Sequence, residues 1–291
     1  MHIKQSELIL NPDGSVYHLN LLPEHVAPTI ITVGDPDRVH NVTKYFDVIE
    51  FATQKREFHT QTGIYKGQRI TVISTGIGTD NIDIVINELD ALVNIDLKKR
   101  VIKPVFTSLN IVRIGTSGSI QKNIPINSFL ISEYAVGFDS LLHFYDSDSI
   151  QHFKISEALK DHTNWLHRKS DPYVVKCNDK LLNILSSNKT VVGFTATNSG
   201  FYGPQGRILR IPLQDCKLND MLTNFNFEGH TITNFEMETA GIYGISSLLG
   251  HNAISMNAII ANRATGKFSN QPEKTIDQLI KYTLDKIINE S

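Results

Sequence analysis

The sequence holds only two cysteines, Cys177 and Cys216, far apart and outside any motif. That excludes a disulfide-rich scaffold and makes a reducing, cytoplasmic setting the expectation, with a single disulfide as the alternative. No apolar run approaches the ~18 residues that a membrane-spanning helix needs. The opening Met1-His2-Ile3-Lys4-Gln5-Ser6-Glu7 lacks the apolar core of a signal peptide, so no secretory leader is expected. Neither sign of charge is in excess: 28 Lys and Arg stand against 30 Asp and Glu, a formal net charge of −2. A broad cationic face for nucleic acid is thereby excluded, and any anion must be recognised by local arginines. No linker, repeat or low-complexity stretch interrupts the chain. Residues 1–291 therefore read as one domain, long enough to bury a sizeable core.

Strand and helix signals alternate. Residues 29–33, 69–74, 106–112, 126–136, 189–197, 231–235 and 253–261 are rich in apolar or β-branched residues and read as strands. Ile82, Val85, Ile86, Leu89, Leu92 and Val93 form one helical apolar stripe, with Asp80 or Asn81 as cap and Lys98-Lys99-Arg100 at its C-terminal end. Residues 178–187, 239–250 and 275–288 read as further helices. The alternation predicts an α/β fold: a central mixed, mostly parallel twisted sheet flanked by helices. Residues 137–177 are the exception, polar and rich in His and Asp. The spacings of His143, His152, His162 and His167 do not make a compact metal-ligand set, so this stretch reads as an excursion over the surface.

Polar chemistry collects just after the apolar strands, where open α/β sheets bind ligands. Residues 29–33 run into Gly34-Asp35-Pro36-Asp37-Arg38-Val39. Backbone N–H groups at a helix start, with the Arg38 fork beside them, suit phosphate, although alone the stretch is only a turn. Thr75-Gly76-Ile77-Gly78 is a glycine loop without the spacing of a dinucleotide fingerprint. Arg113-Ile114-Gly115-Thr116-Ser117-Gly118 sets an arginine beside two hydroxyls; Arg113 points either at a ligand or into a structural salt bridge. In Phe201-Tyr202-Gly203-Pro204-Gln205-Gly206-Arg207, Phe201 can stack on a planar ligand. Gln205 both accepts and donates while Arg207 only donates, so the two can read adjacent edges of a heterocycle. The plainer alternative there is a solvated loop.

Residues 231–250 organise the rest. A strand signal ending in Phe235 meets Glu236-Met237-Glu238, and a helix signal follows to Gly250. Two carboxylates two residues apart share a face on extended backbone. Either one favours the helix N-terminus while the other is solvated, or a carboxylate here accepts the vicinal hydroxyls of a ribose with Met237 packed on the sugar.

Taken in order, these stretches resemble the nucleoside phosphorylase family and, within it, the uridine phosphorylases. They are Gly34-Asp35-Pro36-Asp37-Arg38-Val39, Arg56-Glu57-Phe58, Ser74-Thr75-Gly76-Ile77-Gly78, Arg113-Ile114-Gly115-Thr116, Phe201-Tyr202 with Gln205 and Arg207, Asn234-Phe235-Glu236-Met237-Glu238, and Asn262-Arg263. The resemblance spans roughly residues 15–290, and it is the ordered set that is specific. It implies a phosphorylase/hydrolase-like sheet and assigns roles by position. Gly34, Arg38, Arg113 and Thr116 would hold phosphate, joined by Arg56 from a neighbouring subunit. His18, also from the neighbour, would touch the ribose 5′-hydroxyl. Glu238 would take the 2′- and 3′-hydroxyls, with Met237 against the sugar. Gln205 and Arg207 would read the uracil, Phe201 would pack on the ring, and Ile260, Ala261 and Arg263 would border the base.

The implied reaction is phosphorolysis of uridine to uracil and ribose 1-phosphate, a salvage step with phosphate as co-substrate and no organic cofactor. Arg207, Gln205, Arg38 and Glu238 would carry it. In bacterial relatives a monovalent cation sits between subunits on a glutamate, a backbone carbonyl and a serine. The matching positions are Glu57, Ile77 and Asn81, an oxygen set open to potassium despite the exchange of serine for asparagine. A homodimer would be the minimum for complete sites, and a hexamer of dimers the bacterial habit. No nucleic-acid or membrane partner is implied. A purine-nucleoside phosphorylase, a nucleosidase and a non-catalytic nucleoside-binding protein are the alternatives. The acid that purine phosphorylases use falls at Asn262 or Arg263 here, which favours a pyrimidine.

Overall fold

The computed structural model describes residues 2–288. In chain order the elements are β1 (Thr29–Val33), α1 (Pro36–Thr43), β2 (Val48–Lys55), β3 (Phe58–Tyr65), β4 (Gln68–Ser74), α2 (Thr79–Asn94), β5 (Ile95–Asp96), β6 (Val101–Ile102), β7 (Asn110–Ser119) and β8 (Phe129–Gly137). There follow α3 (Phe153–Thr163), β9 (Tyr173–Lys176), α4 (Asp179–Leu185), β10 (Thr190–Thr197), α5 (Leu218–Asn224), β11 (Ile232–Glu236), α6 (Thr239–Leu248), β12 (Asn252–Asn262), β13 (Lys267–Phe268) and α7 (Pro272–Ile288).

Eleven strands form one sheet in the order β13-β12-β8-β10-β11-β7-β1-β4-β3-β2, with β9 added on β8. Because β12 also pairs with β7, the strands β7, β12, β8, β10 and β11 close into a ring. The sheet is mixed and covered by helices, as the alternation of signals predicts. Its parallel pairs are the central ones, β4-β1-β7-β12 and β8-β10-β11. Antiparallel pairing has a larger share than the sequence suggests, because β2, β3 and β4 are joined by tight turns rather than crossovers. One of those turns uses the left-handed pair Lys66 and Gly67, with φ of 46° and 82°, which matches the twist of a hairpin.

The core forms where the apolar patterns point. β1 buries Ile30, Ile31 and Val33, and the α2 stripe buries Ile82, Val85, Ile86, Leu89 and Leu92. α6 is apolar on all sides and buried along most of its length between α2 and the sheet.

Three features depart most from the sequence reading. β7 runs to Ser119, so Arg113, Thr116 and Gly118 lie on the strand and not in a loop after it. The cause is pairing on two sides: β12 stays paired with β7 past the end of β1, across a bulge at Ile260, and β11 pairs with its end at Gly118 and Ser119. α2 starts after Gly78, with neither Asp80 nor Asn81 as cap, and ends at Asn94 before the β5–β6 hairpin that contains Lys98-Lys99-Arg100. Residues 137–177 are not merely a surface excursion. β9 pairs with β8 and buries Tyr173, Val174 and Val175, while α3 buries Ile155 and Leu159 in a second apolar cluster. Among the described residues no group of three or more His, Cys, Asp or Glu is arranged to hold a metal, and no helix is long and apolar enough to cross a membrane.

Candidate active site

One cavity of about 680 Å³ opens at the carboxyl ends of β1, β4, β7, β10 and β11. Its walls include Gly34, Arg38, Arg113, Thr116, Met237 and Glu238, and also Phe201, Gln205, Arg207, Ile260 and Ala261. The three chemistries read from separate stretches of sequence therefore face the same space.

At one end, β1 stops at Val33 and the chain turns into α1. The Asp35 side chain caps that helix by accepting from the Asp37 N–H at 3.0 Å, and Pro36 occupies the first turn. Arg38 follows, half-buried in the cavity wall. Among the described residues its guanidinium has no hydrogen-bond partner. Burial, and after it the charge of Arg113, hold its pKa below the ordinary arginine range. An anion arriving here would relieve both effects.

Arg113 shows that the two alternatives for this residue were not exclusive. Its Nη2 lies 2.5 Å from Glu238 Oε2 and 3.2 Å from Glu236 Oε2, and its Nη1 donates to Asn257 Oδ1 at 3.1 Å. It is buried and ion-paired, yet it still lines the cavity. A side chain on Gly115 would overlap this guanidinium, so glycine two residues on makes the space for it. Burial opposes the charge on Arg113, but Glu236 and Glu238 together outweigh it and its pKa is raised.

Glu236 meets the helix N-terminus, as one reading expected, but neither carboxylate is solvated. Glu236 caps α6: its Oε2 accepts from the N–H groups of Glu238 and Thr239, each at 2.9 Å, and its Oε1 accepts from Thr197 Oγ1 at 2.6 Å. Glu238 is not solvated but buried, accepting from Gly78 N–H at 2.9 Å as well as from Arg113. Burial raises its pKa despite the Arg113 charge, and Glu236 raises it further. Two buried carboxylates compete for one guanidinium, so the arginine is held charged while this glutamate is pushed up.

The other end is built on the irregular segment after β10. A short 3₁₀ turn over Gly203–Gln205 buries the Gln205 side chain. Arg207 Nη1 donates to Gln205 Oε1 and to the Phe201 carbonyl, each at 2.5 Å, and its guanidinium lies 3.8 Å from the centre of the Phe201 ring. Phe201 is 52% exposed, with its ring toward the cavity mouth. Burial lowers the pKa of Arg207. Arg263 does not line the cavity. It lies behind it, 5.5 Å from the Phe235 ring, and donates to the Gln205 carbonyl. Burial and then Arg207 lower its pKa.

His18 and Arg56 also lie off this cavity in their own chain. His18 Nδ1 is 2.6 Å from Glu88 Oε1. Arg56 sits in the β2–β3 turn with φ 57°, exposed, its guanidinium 5.9 Å from the Tyr17 ring. Glu57, Ile77 and Asn81 do line the cavity.

Sequence reasoning missed Phe268, an exposed aromatic at the mouth, because a two-residue strand gives no pattern to read. It also missed Ser255 and Asn257, which hold Arg113 from β12. Their signal was available: two polar residues alternate with Ile254, Met256 and Ala258 in a buried strand, and buried polar groups need partners.

Comparison with known proteins identifies the family of the chain. The family model described as the Phosphorylase superfamily matches residues 28–286. A uridine phosphorylase of Thermococcus kodakarensis is 28% identical over 271 residues, covering 90% of this chain and 83% of its own. One of Haemophilus influenzae is 29% identical, with 94% and 96% covered. A DeoD-type purine nucleoside phosphorylase of Tolumonas auensis matches at 25% identity, with 93% and 98% covered. Among solved structures, a Trypanosoma brucei nucleoside phosphorylase whose structure is described as showing uridine phosphorylase activity superposes with a TM-score of 0.87. It is 28% identical, and the match covers 97% of this chain and 99% of that one.

Proposed function

The chain belongs to the Phosphorylase superfamily, and from that premise we propose that it is a uridine phosphorylase, converting uridine and phosphate to uracil and ribose 1-phosphate. The observation that carries this reading is the Gln205–Arg207 pair, set in the same cavity as Glu238 and Arg38. Arg207 can only donate, so it fixes the Gln205 oxygen toward itself and settles which way the amide faces. Oε1 can then also accept the N3–H of uracil, Nε2 can donate to O2, and Arg207 can donate to O4. Cytosine, with an acceptor at N3 and an amino group at C4, mismatches this pattern twice. A base site built for hydrogen bonds rejects such analogues strongly.

The sugar lies across Met237 with its 2′- and 3′-hydroxyls donating to Glu238. Phosphate binds beneath it, against the Gly34 turn, Arg38, Arg113 and Thr116. The C1′–N1 bond lengthens first, and its electron pair passes to the uracil, where Arg207 and Gln205 stabilise the growing negative charge. The positive charge on the sugar is balanced by the bound phosphate, one oxygen of which then bonds to C1′. The protein contributes positioning and preorganised charge, with no covalent intermediate. Arg56 and His18 belong in this scheme to the site of an adjacent copy, so a homodimer is the minimum assembly, and a hexamer is compatible with it. The Glu57 and Asn81 side chains both crowd Gly76. With the Ile77 carbonyl they offer an oxygen set suited to potassium, which would brace the loop at the cavity rim.

Among the described cavity-lining residues none at the base end is acidic. Asn262 is committed to the Gln121 and Ile124 carbonyls and to the Thr265 N–H, which leaves no group to protonate a purine. The test is base release from a panel of nucleosides with and without phosphate. Phosphate-dependent release of uracil from uridine, with ribose 1-phosphate formed in equal amount, supports the proposal. Release from inosine or adenosine instead would make it a purine enzyme, release without phosphate a nucleosidase, and binding without release a sensor.

A further inference from the structure

Two side chains from distant parts of the chain converge on a single backbone atom, the Gln205 carbonyl oxygen. Asn219 Nδ2 on α5 donates to it at 3.0 Å, and Arg263 Nη1, just past β12, donates to it as well. A carbonyl has two acceptor sites, and both are used. The next residue, Gly206, has φ +70°, and a Cβ there would overlap the Asn219 amide. The glycine thus serves two purposes, permitting the left-handed turn and admitting Asn219 to the carbonyl. The N–H side of this turn is held by backbone, with Gly206 N–H donating to the Gly203 carbonyl at 2.8 Å, whereas the Gln205 carbonyl is held by these two side chains.

We propose that Asn219 is a positioning residue for base recognition: with Arg263 it clamps the backbone of Gln205, so that the amide and the Arg207 guanidinium meet the base in one fixed geometry. This rests on the assignment of Gln205 and Arg207 to the base. Asn219 acts through Gln205 and lies off the cavity wall. It spans from α5 to the base-reading turn, so its effect is confined to one half of the site.

The consequence is a split between the substrates. Losing one neutral hydrogen bond to a buried carbonyl should raise KM for uridine roughly tenfold in Asn219→Ala. KM for phosphate and the thermal midpoint should stay near the wild-type values. Asn219→Asp removes the donor and sets an acceptor against the carbonyl, so its uridine KM should rise at least as far. Gly206→Ala should harm uridine KM more in the wild-type background than in Asn219→Ala, where the overlap is gone. Gln205→Ala is run alongside. If Gln205→Ala loses uridine phosphorolysis while Asn219→Ala keeps wild-type KM, the clamp is overturned and the base assignment stands. If both variants keep wild-type KM, the base assignment falls and the clamp with it. If uridine and phosphate KM rise together in Asn219→Ala with a lower thermal midpoint, the residue is merely structural and the proposal is overturned.

Discussion

At the end of the cavity proposed for sugar and phosphate, Arg113, Glu236 and Glu238 stand on or beside strands and are bonded to one another, while Arg38 on α1 has no hydrogen-bond partner among the described residues. Arg113, Glu236 and Glu238 are buried in a network completed by Thr197, Ser255 and Asn257. At the base end the side chains stand on a turn after β10, and Phe201, Tyr202, Ile208, Leu209 and Ile211 are exposed there. The first end is held by the sheet and by these mutual bonds. The second rests on the backbone bonds of one short turn and a few side-chain bonds. On the proposed assignment, the anion and the sugar bind in the part built on the sheet. On the same assignment, the base is chosen in the part that a few substitutions can reshape, which is where binding specificity on a fixed scaffold usually lies.

The sharpest way to break this contrast is Arg113→Leu. It leaves two buried carboxylates without their cation, and removing one partner of a buried pair costs about 3–5 kcal/mol. A large fall in the urea midpoint is expected along with lost activity. Arg207→Ala should do the reverse: turnover of uridine should fall about 10²–10³-fold, as for loss of a donor aimed at developing charge. Its urea midpoint and its phosphate KM should stay close to wild type. Unchanged turnover would remove Arg207 from the site. Arg38→Ala should raise phosphate KM by about tenfold or more, since a charged donor to an oxyanion is worth about 1.5–3 kcal/mol. Its stability should hardly change, because among the described residues no hydrogen bond is lost.

Smaller in size is the pH dependence of Glu238, which on the proposed assignment accepts both ribose hydroxyls best when ionised. Its pKa is raised, by burial first and with Glu236 adding to it. The acid limb of kcat/KM should therefore lie above the ordinary glutamate range, and Glu236→Gln should move it to lower pH. The sign for stability is set by the same shift. Between the ordinary and the raised value the folded state binds more protons than the unfolded one, so the Glu238 contribution falls as pH rises across that window. Urea midpoints against pH in wild type and Glu236→Gln check this. The smallest effect is expected from Phe201→Leu, which removes the ring stacked on Arg207. A few-fold rise in uridine KM, equivalent to about 1 kcal/mol, would match an exposed cation–π contact.

The sequence alone determined the register of local chemistry. Apolar β-branched runs and the 3.6-residue stripe of α2 named most elements, since burial of one face is written in residue order. Each polar cluster after a strand was visible for the same reason, and so was their ordered likeness to nucleoside phosphorylases. Only the tertiary structure decided three things. It put Arg113 within the strand and between Glu236 and Glu238, because the pairing of β7 with β12 carries the strand past β1. It drew residues 137–177 into the sheet through β9. It also brought Asn219 and Arg263 to the same carbonyl of Gln205. Contacts between residues remote in sequence leave no periodicity in the chain, and which partner a buried polar group finds is fixed only when the strands close around it.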